Sequence, residues 1–518
     1  MAAIITEKFR LHNAEQFKES FTESSASNYY LFVGKSSPFS ATTKYSDTET
    51  TGGTDASPPN PHDRIIEENY KWDSMLAAKR ITSTDVMPVI PRRNYSQVTF
   101  DMYEHDVTAT NPTTSGASNI YDSTFYFVTD AYKVYKVLDN NGGVNISDSS
   151  APTSTSSAPF FHGGYYLQYM YTLNTADTIK FLTTDFVAVR NNATVTTDVV
   201  SASGDSAPFH GAPIQVVRVT NVGGSLSDGD YYTKVNGDGT GAIVKIKVAG
   251  NAIVKFGEAG TLMHAGGSGY TFGTIDLTKC YNNSGLSGTV VNLSGGSAAV
   301  HPIISPRIGH GHDPVSELGG HYVMMNARLE QTESGDFTVA NDFREVGIVV
   351  DPHNAGTTTV SSVSQVRMTH AIKIDTTSGD YEVDEKITQA STDATGRVVE
   401  WDATKKILYY VQEQWENYGI SSNSSNSAYQ TKVPFSGGNN ITGASSSIVA
   451  SVKTGLTGTD DAAANGGDAT MASGITFTGG YAVPELEHDS GNIIYVENRR
   501  PISRASDQTE DIKIVIEF

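Results

Sequence analysis

Four side chains of the kinds that ligate metal lie within twelve residues of one another: His310, His312, Asp313 and His321. Imidazole and carboxylate are the ligands of hydrolytic zinc centres, where the metal acidifies a bound water and polarises a substrate carbonyl. The spacing here argues against that use. His310 and His312 flank Gly311 in a Gly- and Pro-containing stretch, so no helical i,i+4 pair of the HExxH kind is set up, and the three histidines read as structural or surface residues. Gly34-Lys35-Ser36 resembles the close of a phosphate loop, but Tyr29 stands where that loop needs glycine and Pro38 blocks the helix that would face the phosphate. Asp228, Asp230 and Asp238 carry oxygen ligands suited to calcium, yet the EF-hand spacing is absent and they read as turn residues. The single cysteine, Cys280, excludes an intramolecular disulfide and a thiolate zinc cage, and reads as a small buried hydrophobe. There is no G-x-S-x-G and no complete Walker loop. The expectation is therefore not an enzyme: no catalytic residues, no cofactor and no metal.

What positions these residues is a chain built for turns and strands. Its 518 residues include 48 Gly and 26 Tyr, with many Ser, Thr and Asn, a composition that favours short strands over long helices. The length predicts about three domains. With 36 Lys plus Arg against 57 Asp plus Glu, the formal charge of -21 disfavours nucleic acid and anionic membrane surfaces, both of which need clustered cations. The first ten residues lack the apolar core of a signal peptide, and no run of 18 apolar residues occurs, so neither export nor a spanning helix is expected.

Along the chain, Phe9, Phe17 and Phe21 at near-helical spacing predict a short helix over 9–21, followed by a strand over 29–33. Pro61 and Asp63 open a second helix read through about residue 80, with Ile65, Ile66, Trp72, Met75 and Leu76 turned inward. Pro88 and Pro91 force an extended segment. Strands are read over 124–128, 133–138, 165–173 and 186–189, then 214–220, 230–234, 242–248 and 252–256, then 321–328 and 344–350. The cluster Tyr165, Tyr166, Tyr169 and Tyr171 is either a glycan platform or strand packing. A repeat with a constant offset of 54 carries Tyr381, Ile387-Thr388, Ala390-Ser391 and Val398 onto Phe435, Ile441-Thr442, Ala444-Ser445 and Val452, as duplicated strand modules would. Gly455 to Gly474 reads as a linker. The chain closes with a strand over 493–496 and a last one in which Ile512, Ile514 and Ile516 share a face.

The two ends carry a resemblance. Gly491-Asn492-Ile493-Ile494-Tyr495-Val496-Glu497-Asn498-Arg499 and Asp507-Gln508-Thr509-Glu510, with Val89-Ile90-Pro91-Arg92-Arg93 near the start, are similar to baseplate wedge proteins of T-even-like contractile-tailed bacteriophages, the dimeric wedge subunit encoded by gene eight. Weaker matches, at 32–38, 134–139, 164–189 and 343–352, fall in the same order. The resemblance covers about half the chain and departs at about 195–310 and 360–485, which look like added β modules. It implies a mainly β, multi-domain fold, with a terminal α/β domain made from both chain ends and nested all-β, sandwich- or barrel-like insertions. The expected division is 1–95 plus 486–518, 96–195 plus 310–360, 196–309, and 361–485. The family also implies a structural virion protein of the tail baseplate, assembled in the host cytoplasm, whose partners are a second copy of itself and other wedge subunits. Arg92, Arg93, Arg499 and Arg500, cations at the turns of an acidic chain, are the interface residues expected, the alternative being pairing within the chain with Glu497 or Glu510. The rival readings are a receptor- or glycan-binding tail protein and a metal-dependent hydrolase using His310, His312 and His321.

Overall fold

The computed structural model describes residues 6–23, 26–39, 53–62, 64–111, 113–202, 212–329, 342–413, 419, 432–456, 462–465, 468–471, 474–503 and 510–518. The described chain is mainly β and falls into two compact units, one formed by Met1–Lys18, Met87–Met324 and Val515–Phe518, the other by Glu19–Val86 and Met325–Ile514. Asp507 to Thr509 of the resemblance, and parts of the loop after Thr42 and of the 455–474 stretch, lie outside the described residues.

In the first unit the opening helix, Glu7–Glu19, buries Leu11 and Ala14, whereas Phe9 is 54% exposed. Phenylalanine spacing thus located the helix but not its buried stripe. A four-stranded sheet follows in the order Tyr126–Val128, Lys133–Asp139, Tyr165–Thr172, Phe160–His162. Thr240–Ala249 shows how the Gly-rich region folds: Ala242, Val244, Ile246 and Val248 point into the core while Lys245 and Lys247 alternate outward, the period-two pattern of a half-buried strand. It pairs with Gly229–Gly237 on one side and with Leu262–Ser268 on the other. Val216–Asn221 pairs with Ala299–Ile303 in a separate ribbon. Two short helices, Thr175–Phe181 and Ala193–Ala202, stand where none was expected; the first starts at Asn174, whose side chain accepts from Asp177 N at 2.8 Å. Val86–Pro91 pairs with Phe186–Ala188, Val89 opposite Ala188. In the last strand, Glu510–Glu517, Ile512 and Ile514, which belong to the second unit, are buried as their alternation requires.

The second unit is organised on a five-stranded antiparallel sheet in the order Gln365–Arg367, Met75–Ile81, Tyr29–Gly34, Phe343–Val350, Asn492–Ile502. The helix expected through residue 80 in fact runs only over Ile65–Ser74, and Met75–Ile81 is a strand. Tertiary burial overrides local propensity there: Met75, Leu76, Ala77 and Ala78 are all buried between two neighbouring strands, which no one-sided helix pattern foretells. Ile65, expected inward, is 81% exposed, while Trp72 is buried.

The same unit contains the duplicated modules. Lys386–Gln389 with Ala394–Asp402, and Ile441–Gly443 with Val449–Val452, are hairpins that pair through their first strands, Thr388 opposite Thr442. Ile407–Val411 and His370–Thr377 complete a ring, because His370–Thr377 pairs with both Ile407–Val411 and Val449–Val452. This six-stranded closure is filled by Ile372, Tyr381, Ile387, Val398, Leu408, Phe435 and Ile441 among others, and Tyr381 of the first copy donates to the Ile441 carbonyl of the second at 2.9 Å.

Candidate functional site

The longest strand among the described residues, Asn492–Ile502, sits at the edge of the five-stranded sheet. On one side it pairs with Phe343–Val350, from Val350 opposite Asn492 to Phe343 opposite Ile502; on the other, no strand among the described residues bonds to it. The sequence explains both facts. Ile493, Ile494, Tyr495 and Val496 are strong strand formers, and Pro501 is tolerated because an edge strand leaves one row of N–H groups unused. An unpaired edge is a ready template for another chain. Ile494 is 52% exposed, and Arg499 and Arg500 are both exposed. Tyr495 donates to Glu497 at 2.9 Å, and burial together with this carboxylate pushes the phenol up to about 12. Glu497 in turn lies 3.4 Å from Arg499. Arg500 has no ion-pair partner among the described residues. Asn498 donates to the Pro59 carbonyl at 2.9 Å, and a cavity of about 290 Å³ beside the strand is lined by Pro61, His62, Arg64 and Glu68.

Arg92 and Arg93, in the first unit, are half-buried and already engaged. Arg92 bonds Asn94 at 2.8 Å and the Thr183 carbonyl at 2.9 Å; Arg93 stacks over the Tyr126 ring at 4.5 Å and donates to the Tyr121 carbonyl. The chain ends meet in this unit: Arg10 pairs with Glu517 and donates to the Phe518 carbonyl, Phe17 packs 5.3 Å from the Phe518 ring, and Phe518 N bonds the His321 carbonyl.

The histidines close in sequence are not brought together as a group of metal ligands. His310 is buried edge-on to Tyr103, and burial plus the nearby Lys136 hold it well below the ordinary histidine value. His312 offers its carbonyl to Thr196, Asp313 caps the short helix Pro314–Glu317, and His321 lies against Tyr322 and Tyr121. Asp228 accepts from Gly250 N and Asn251 N, Asp238 accepts from Thr271 and Phe272, and Asp230 pairs with Lys245 and Lys247, so each carboxylate is spent locally. Lys35 follows the strand with a left-handed φ of 55° and reaches Ser37, and the described residues after it, through Phe39, form no helix. Cys280 is buried, which pushes its thiol up to about 12. Tyr165, Tyr169 and Tyr171 are buried with their hydroxyls bonded internally, leaving only Tyr166 of that cluster partly open, which removes the suggested platform. In the second unit a cavity of about 450 Å³ is walled by Trp72, Met368, Val483, Pro484 and Leu486, and there Asp73 accepts from His488 at 2.9 Å and pairs with Lys432. The one group of three potential metal ligands that does form among the described residues is His105, Asp106 and His301, which sequence distance had hidden.

The family model described as Bacteriophage T4, Gp8 matches residues 3–154 and 461–518. Both ends of the chain thus match the Phage-Gp8 family. The Phage-Gp8 match takes in Arg92 and Arg93 at one end and the whole Asn492–Ile502 edge at the other, whereas residues 155–460 lie outside it. Phage-Gp8 is a family of structural baseplate wedge proteins, and the match supports reading this chain as a structural protein of the phage tail baseplate. No curated protein matches the chain. Among the described residues no helix is long and apolar enough to cross a membrane.

Proposed function

We propose that the chain acts as a homodimer that joins neighbouring wedge proteins while the baseplate is assembled in the host cytoplasm, and that the Asn492–Ile502 edge takes part in the contact. The observation that carries this reading is the unpaired edge itself: eleven residues with one row of backbone groups open, an exposed Ile494 and two exposed arginines. Arginine and aliphatic side chains beside a strand edge suit recognition by strand addition. Arg92 and Arg93 hold partners within their own unit, so among the four arginines the contact rests on Arg499 and Arg500. The formal charge of -21 disfavours crowding of free copies and favours neighbours with basic patches, an attraction that salt screens.

We further read 196–309 and 361–485 as modules inserted into the family framework. In support, the strands from Val216 to Ile303 pair among themselves, and the six-stranded ring closes within His370–Val452.

Light scattering of the chain alone and with the other wedge proteins tests the proposal. The expected result is a dimer that co-assembles, and an Arg499→Glu/Arg500→Glu variant that loses assembly while its melting temperature is kept, because both side chains are exposed. A monomer indifferent to every partner, or a charge-reversed variant that assembles normally, would overturn it. Binding of the isolated chain to host cells or glycans would favour the receptor reading instead.

A further inference from the structure

We propose that His105, Asp106 and His301 form a binding site for one divalent first-row metal ion, with Zn2+ as the type case. One ligand atom from each residue lies within 4.8 Å of those of the other two. The residues come from separate parts of the first unit: His105 and Asp106 from a turn, His301 from the strand Ala299–Ile303. In that strand Val300 and Pro302 point into the core, so alternation turns His301 outward toward the turn. The two imidazoles lie parallel, 7° apart in plane with centroids 5.9 Å apart. The carboxylate sits between them, His105 Nδ1 to Asp106 Oδ1 at 3.9 Å and His301 Nε2 to Asp106 Oδ2 at 3.7 Å. These gaps are too long for hydrogen bonds. They lie a few tenths of an ångström beyond the spacing of about 3.3 Å that two ligands adopt when each is 2.0–2.1 Å from a tetrahedral zinc.

A second observation points the same way. His301 Nε2 and Asp106 Oδ1 are shielded from solvent, yet neither has a hydrogen-bond partner among the described residues. The nearest other charges cancel, since Arg218, opposite His301 on the neighbouring strand, is paired with Glu104. Asp106 therefore brings a carboxylate to the site, with an imidazole to either side. His105 Nδ1 accepts from Ile304 N at 3.2 Å, which aims the ring; the ion would compete with that one long bond for the lone pair. Three protein ligands leave a coordination position for water or for a group from a neighbour. His105 and Asp106 lie inside the stretches matched by the Phage-Gp8 model and His301 outside them, so the complete triad needs the unmatched part of the chain and does not depend on the edge-strand proposal.

The test uses the full chain with any affinity tag removed, stripped with chelator and titrated with Zn2+ by calorimetry and with Co2+ by absorption. One equivalent should bind, with the visible bands of low-coordinate Co2+. His301→Ala and Asp106→Asn should each weaken binding beyond the roughly 10–100-fold that loss of an outer-shell partner costs. His264→Ala, at an exposed histidine elsewhere, should bind as the parent does. Circular dichroism checks that the variants fold. Absence of stoichiometric binding, or undiminished binding by folded His301→Ala and Asp106→Asn, would overturn the assignment.

Discussion

Replacing Glu317 by alanine should destabilise the first unit more than replacing its partner Lys136 by methionine. Lys136 is fully buried, its ammonium 2.7 Å from Glu317 and 4.0 Å from the centre of the Tyr103 ring. Glu317 also accepts from Gly311 N at 2.8 Å and from Asp313 N at 3.1 Å, so it fastens the loop before its own helix. Glu317→Ala strands a buried ammonium and leaves two amides without their acceptor; breaking a buried pair in this way costs about 3–5 kcal/mol. Lys136→Met leaves a carboxylate still held by two N–H donors, and should cost about 1–3 kcal/mol. The double variant removes the stranded charge but not the orphaned amides, and should fall between the two. Hydrogen exchange of the 133–139 and 311–317 segments reads this directly, since 3–5 kcal/mol corresponds to exchange faster by roughly a hundred- to several-thousand-fold. The pH dependence adds a second check. Burial outweighs Glu317 and already holds Lys136 below the ordinary lysine value of 10.5; without Glu317 it falls further. The unfolded chain then binds more protons than the folded one, so Glu317→Ala should regain stability as pH rises from neutrality toward 10.5, and more steeply than the parent. Equal costs for the two single variants, or a Glu317→Ala variant indifferent to pH, would refute the reasoning.

Two further outcomes follow from the second unit. Burial opposes charging of His488, but the hydrogen bond and charge of Asp73 outweigh it and raise its pKa above 6.5, while His488 and Lys432 lower that of Asp73. The His488 contribution is thus full below about 6.5 and is lost as pH climbs through its raised value, and the Asp73 contribution is lost as pH falls through its lowered one. A proton-resolved titration of His488 should shift to lower pH in Asp73→Asn; an unmoved midpoint would break the link. Gly347→Ala should cost about 1–3 kcal/mol in thermal stability, because an added Cβ would overlap the Phe32 ring and meet the Tyr495 carbonyl, where the edge strand is attached. An unchanged melting temperature would show that the ring yields.

Much of this architecture was legible in the sequence wherever one face of an element is dry and the other wet. Thr240–Ala249 alternates cleanly, Glu510–Glu517 does so as far as Ile514, and the offset of 54 did mark two hairpins that pair with each other. Legibility failed where burial is two-sided or remote. Met75–Ile81 is apolar on both faces in its first four residues and carries no period, so the pattern of the helix before it reads on through it. The histidines show the same limit from the functional side. His310, His312 and His321, neighbours in the text, are dispersed by a glycine turn and a short helix, whereas His105 and His301 are joined only because Ala299–Ile303 returns beside the turn. The edge strand could be read from its residues, but not its unpaired side, which depends on sheet order.

The order of the five-stranded sheet also sets a timetable on the ribosome. Tyr29–Gly34 and its partner Met75–Ile81 are made close together, but Phe343–Val350, on the first strand's other side, is made about three hundred residues later, and Asn492–Ile502 later still. At about 5–20 residues per second the first strand waits on the order of 15–60 s with one edge open. Nascent chains on one message are therefore exposed to each other through that strand before they can close on themselves, and a chaperone that covers short apolar segments would act at Tyr29–Gly34 first.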